Sequence, residues 1–231
     1  MWCMTVATRQ WRERLSVPAY RVADAARYAG TTTQTVNNWQ RAVISDREAG
    51  KALSYLQLVE LGVVAAMRKQ GVTLKTIRKT RLYLAEEFGS QFPFAEYRFK
   101  TDGRELMMDS EVLAPEVRNK LIVVSENGQF AWKEVLAKLL RQFEYSDEDD
   151  GIVVRWKLDG DDSPIIIDPR ICFGEPQVGG VPTWTIRERW VSGEGLKDIA
   201  TDYDIEPHLV SSALKFEGIP IDLKRPNTWA N

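Results

Sequence analysis

Two apolar helix faces separated by a three-residue break constrain the fold of this chain more than any other feature. Leu196, Ile199, Ala200 and Tyr203 stand at i, i+3, i+4 and i+7, the spacing of one side of a helix. Asp204-Ile205-Glu206 interrupts the pattern. Pro207 then stands where helices commonly begin, and Leu209, Val210, Ala213 and Leu214 form a second face. Upstream, from residue 168, an extended stretch broken by Gly and Pro leads into a third short helical pattern. Helix, tight turn, helix is a plan often used on DNA. Charge argues against that use here, because residues 168–217 hold five Lys/Arg against nine Asp/Glu. Phosphate contact needs positive charge, so this unit is expected to meet a protein.

The order DPRICFGEPQVGGVPTWTI, the step SGEGLKDIA and the helix DYDIEPHLVSSALKF together resemble the small prokaryotic domain of unknown function found in VapB-type antitoxins. Such antitoxins are encoded beside PIN-type toxin ribonucleases. The resemblance covers about a quarter of the chain and implies a toxin–antitoxin role. Periodicity alone gives only a three-helix unit.

A chain of 231 residues is long enough for two small domains with cores of their own. Its 44% hydrophobic and 28% charged content is that of a soluble globular protein. No stretch approaches the roughly 20 apolar residues of a membrane span, and MWCMTVATRQWRERL lacks a signal-peptide core. A cytoplasmic protein is expected, with Cys3 and Cys172 reduced. Net charge is −2, but residues 1–100 hold 16 Lys/Arg against 8 Asp/Glu and residues 101–231 hold 15 against 25. A basic half joined to an acidic half points to two different partners, the alternative being two solvated faces.

The basic half contains its own helix-turn-helix pattern. Val22, Ala25, Ala26 and Ala29 make a face of small residues, Gly30 ends that helix, and Thr31 or Thr32 can cap the next. The second helix carries Val36 and Trp39 inward and offers Thr33, Gln34, Asn37, Asn38 and Arg41 outward. These are side chains that reach base edges or phosphates in a major groove; the alternative is a hairpin whose polar face is merely wet. Residues 42–53 are expected to form a hairpin or wing. Residues 54–70 read as a helix with Leu56, Val59, Val63 and Ala66 on one face, and a helix after Thr73 follows. RVADAARYAGTTTQTVNNWQ with SYLQLVELGVVAAMRKQGVTLKTIRKTRLYLAEEFG resembles a MerR-like winged helix-turn-helix head over residues 20–88. The long coiled coil that follows in MerR-type regulators is absent from this sequence, so their effector chemistry does not carry over. Arg68, Lys69, Lys75, Arg78, Lys79 and Arg81 form a run without an acid, and Lys75, Arg78 and Lys79 lie close together on a helix surface. This run is expected to track phosphates.

Residues 95–125 change period to two, with Asp102-Gly103 as a hairpin turn. Residues 132–143 read as an amphipathic helix, and 152–158 and 165–167 as strands around an acidic loop. The expected architecture is mainly α with a small β component. Its parts are a DNA-binding domain over 1–90, a β-rich connection with one helix over 91–150, and a toxin-binding antitoxin domain over 151–231.

No catalytic, cofactor or metal constellation is visible. His208 is the only histidine, and Gly174 and Gly179-Gly180 lie in a turn-rich loop outside any phosphate-binding fingerprint. An enzyme is therefore not expected. The leading reading is an antitoxin that represses its own operon by binding operator DNA as a homodimer, through residues 2–17 or the 54–88 helices, and neutralises a PIN-type ribonuclease. The alternative is a stand-alone helix-turn-helix regulator. Toxin-binding candidates are Trp184, Arg187, Arg189 and Trp190, with Lys224 and Arg225 of the tail. Trp184 and Trp190 lie about 120° apart around a helix axis, so one is expected in the core and the other at an interface. For Arg187 and Arg189 the alternative is pairing with Glu188 and Glu194 on a solvated surface.

Overall fold

The computed structural model describes residues 11–44, 50–96, 138–146 and 151–220. The expected hairpin turn at 102–103, the rest of the period-two stretch to 125 and the tail with Lys224 and Arg225 lie outside them. The protein is mainly α-helical, with one small antiparallel sheet among the described residues, and it divides into two compact units, Met1–Val154 and Arg155–Asn231.

The first unit begins with helical residues 11–16, then α1 (Val22–Tyr28) and α2 (Thr33–Trp39). Small side chains let the two helices pack closely, with Ala25, Ala26 and Ala29 buried against Val36 and Trp39 in the core. Thr32 caps α2, its Oγ1 accepting from the Thr35 N–H at 3.2 Å. Helix α2 runs on into a π-turn, Gln40–Ile44; residues 45–49 of the expected hairpin or wing lie outside the described residues. The buried Gln40 amide stitches this turn to the returning chain, donating to the Lys51 carbonyl at 2.8 Å and accepting from the Gly50 N–H at 3.2 Å. Leu53 then forms a two-residue bridge with Tyr20.

Helix α3 (Tyr55–Lys69) starts at a capping box, in which Ser54 and Gln57 satisfy each other's backbone N–H groups. The expected apolar face is only part of what this helix buries. Leu58, Leu61 and Val64 are buried as completely as Val59 and Val63, while Ala66 is half-buried. A helix apolar on every side belongs at the centre of a core, and α1, the π-turn, α4 (Leu74–Phe88) and the 3₁₀ turn Pro93–Ala95 pack around it. Thr73 caps α4, and Gly89 ends it in the left-handed region.

The strands are β1 (Phe143–Tyr145), β2 (Val153–Lys157), β3 (Ile166–Ile167), β4 (Gln177–Val178) and β5 (Val181–Pro182), neighbours in that order. Phe143 thus opens a strand, where a helix end was expected; helical residues 138–141 stop two residues earlier. In the second unit Trp156 pairs with Ile167 and Val178 with Val181, both antiparallel. Gly179 and Gly180 make a two-residue hairpin with φ of +56° and +84°, the signature of a turn that only residues tolerant of positive φ adopt. A Cβ on Gly179 would also stand 2.7 Å from Ile205 Cγ2. Helices α5 (Thr183–Val191), α6 (Leu196–Asp202) and α7 (Pro207–Phe216) pack on one another. Ile186, Trp190, Ile199, Val210, Ala213 and Leu214 fill the space between them. Asp168, fully buried at the end of β3, is held by Arg155 at 3.2 Å and by Arg170 through its N–H at 2.9 Å and its guanidinium at 2.7 and 2.8 Å. Those donors hold its carboxyl below the ordinary range although burial opposes them.

Candidate functional site

Two surfaces, one on each unit, gather the candidate residues. On the first unit, Thr33, Gln34 and Asn38 are exposed along α2, and Gln34 Nε2 donates to Asn38 Oδ1 at 3.2 Å. Asn37 is half-buried, and its Oδ1 accepts from the Gly50 N–H at 3.0 Å. That bond ties Asn37 to the loop and leaves Asn38 as the freer of the two amides. The side chain of Arg41 lies outside the described residues. Helix α4 packs against the π-turn that continues α2 and carries Lys75, Arg78 and Lys79 exposed at i, i+3 and i+4. None of the three makes an ion pair among the described residues. Leu82, 57% exposed, stands one turn further along the same face.

The expected six-residue cationic run is only partly a surface feature. Arg68 donates to the Val72 carbonyl at 2.7 Å. The Lys69 ammonium stands 2.8 Å from where a Cβ on Gly30 would be, beside the left-handed end of α1. Arg81 turns inward, giving Nε to Glu60 at 2.5 Å and Nη2 to the Gln91 carbonyl at 2.5 Å. Glu60 is fully buried and also accepts from the Phe94 N–H at 3.2 Å. Burial pushes its carboxyl up to about 7, against the pull of Arg81 and of the Phe94 N–H. This cluster locks α3, α4 and the 3₁₀ turn together. It was missed in the sequence because Glu60 reads as one polar break in an apolar helix.

On the second unit, α5 separates the two tryptophans. Trp190 is 5% exposed and belongs to the core, so its candidacy as a partner contact is corrected; Trp184 is 50% exposed. Val191, 60% exposed, was not singled out in the sequence. Arg187 pairs with Glu188 at 3.0 Å. Arg189 is bound by Glu194 and, at 2.5 Å, by Asp202, and its guanidinium lies over the Tyr203 ring at 5.0 Å. These carboxylates hold the Arg189 proton more tightly than usual. The two arginines are therefore committed to intramolecular pairs, as the alternative reading had it. His208 is exposed in the first turn of α7. A shallow cleft beside α7 is lined by Ser211, Ser212, Lys215, Ile219 and Pro220, but both serine hydroxyls already donate to carbonyls one turn back. Among the described residues no three His, Cys, Asp or Glu side chains are grouped to hold a metal, and no helix is long and apolar enough to cross a membrane.

Residues 165–216, which run from β3 through α7, match the family described as "Protein of unknown function (DUF433)". Over 227 residues the chain is 24% identical to "Putative antitoxin VapB45" of Mycobacterium tuberculosis, covering 87% of this chain and 94% of that protein. The crystal structure of Rv2018 from M. tuberculosis superposes with a TM-score of 0.70 at 26% identity, covering 87% of this chain and 99% of that one. The likeness thus extends across both units and supports an antitoxin role.

Proposed function

We propose that this chain is the antitoxin of a type II toxin–antitoxin pair. Its second unit binds and neutralises a PIN-type ribonuclease, and its first unit binds the operator of its own operon as a homodimer. It acts by binding and carries no catalysis of its own. The observation that carries this reading is the likeness to "Putative antitoxin VapB45" along nearly the whole chain, both units included. The surfaces agree with it. The first unit presents Lys75, Arg78 and Lys79 for phosphates, with the exposed polar side chains of α2 for base edges. The second unit is acidic and has an exposed tryptophan.

Co-expression with the product of the adjacent gene tests the proposal. The two proteins are expected to co-purify, and the ribonuclease activity of the partner is expected to fall on titration with this chain. Promoter binding by this chain without any complex, and with ribonuclease activity unchanged, would instead establish a stand-alone regulator.

A further inference from the structure

Helix α5 has two apolar stripes, and the fold uses only one. Thr183, Ile186 and Trp190 are buried. Trp184 and Val191 are 50% and 60% exposed. At about 100° per residue these two lie within about 20° of each other around the axis, with Arg187 and Glu188 between them on the same side. Rolling α5 to bury Trp184 would pull Ile186 and Trp190 out of the core. It would also break the bond from Thr183 Oγ1 to Glu217 Oε1, 2.5 Å long, that fixes the start of the helix against the end of α7. The second stripe is therefore held out to water by the packing of the first. Because Arg187 is neutralised by Glu188, the stripe is an electrically quiet ridge with an aromatic at one end and an aliphatic at the other. Apolar anchors seven residues apart are what a helix offers to a groove.

The charge around the ridge selects its occupant. Residues 168–217 hold nine acids against five bases, and Arg170, Arg187 and Arg189 are engaged by carboxylates of the same unit. A second copy of this unit would bring like charges together, which opposes association. A protein that acts on RNA must carry positive charge to attract phosphates, and such a surface complements this one. Resting on the antitoxin reading, we propose that Trp184, Glu188 and Val191 of α5 form the ridge by which this chain docks into an apolar groove, rimmed by basic side chains, on its ribonuclease partner.

The full-length chain carrying Trp184→Ala and Val191→Asp, singly and together, would be titrated against the purified adjacent-gene ribonuclease by calorimetry. Melting curves would show that the variants fold. Each single change is expected to weaken binding at least 30-fold and the pair to abolish it, with an unchanged melting temperature. If wild type binds and the folded double variant binds equally well, the ridge is not the docking surface, while the antitoxin reading stands. If wild type itself does not bind, the antitoxin reading fails and this inference with it. If, without ribonuclease, wild type is a dimer and the double variant a monomer, the ridge joins two copies of this chain and the proposed occupant is wrong.

Discussion

Both units of the protein place helices around tight turns, yet one gathers exposed cations on a single helix face and the other does not. On α4 the three cations Lys75, Arg78 and Lys79 stand in solvent without an ion pair among the described residues, while Arg81 on the same helix serves the core. On the second unit the arginines Arg170, Arg187 and Arg189 are all engaged by carboxylates, the exposed lysines Lys197 and Lys215 stand singly on α6 and α7, and Trp184 and Val191 are exposed on α5. Helical plan alone therefore says little about a partner. The partner is written in which charges the fold has already spent on itself. Free cations favour phosphates, and a neutral apolar ridge in an acidic setting favours a basic protein.

The sharpest way to break this comparison is to show that inward and outward residues are interchangeable. Arg81→Ala should destabilise the first unit by about 3–5 kcal/mol, because it leaves the buried Glu60 carboxyl without its ion-pair partner; Arg189→Ala, at the surface, should cost about 1 kcal/mol or less. Trp190→Ala should cost about 3–5 kcal/mol and Trp184→Ala no more than about 0.5 kcal/mol. Chemical denaturation of the full-length variants reads all four. Equal losses for either pair would erase the distinction.

A smaller effect follows from Glu60. Its carboxyl titrates near 7 in the folded state and near 4.5 in the unfolded one, so the folded state holds the proton more tightly. Its contribution to stability is fully present below the unfolded value and is lost as pH rises through the folded value. Between pH 5 and pH 8 the wild type should therefore lose stability relative to Glu60→Gln, by on the order of 3 kcal/mol at most. Parallel melting-temperature profiles for the two proteins would mean that the buried pair stays ionised throughout.

DNA binding sharpens the other half of the comparison. Asn38→Ala should lower the preference for the promoter by about 1–3 kcal/mol if its amide reads a base. Asn37→Ala is the less clean probe, since it also removes the bond to the Gly50 N–H. The smallest change is expected from Lys75→Ala, which should weaken all sequences alike and reduce the salt slope by about 1. Gel shifts over a range of salt distinguish these outcomes.

The helices of the second unit were legible because the 3.6-residue period, the break at 204–206 and Pro207 all place the same boundaries. The central position of α3 was not, because a one-face reading stops at the first four matching residues and ignores Leu58, Leu61 and Val64. The β4–β5 hairpin is not legible because each strand has only two residues, too few for a period, and Gly179-Gly180 reads equally well as part of a loop. Of the candidate contacts, spacing showed that Trp184 and Trp190 face different ways. It did not show which one is buried, since that depends on where α7 packs. Nor did sequence show that Arg81 turns inward, because its acidic partner lies 21 residues away.

The most direct test of the divided surface uses two full-length variants in two assays. One carries Lys75→Ala, Arg78→Ala and Lys79→Ala; the other carries Trp184→Ala and Val191→Asp. Promoter binding and ribonuclease inhibition are measured for both. The first variant should lose promoter binding and inhibit normally, and the second should bind the promoter normally and fail to inhibit. Loss of both functions in either folded variant, or of neither, would contradict the assignment of one partner to each surface.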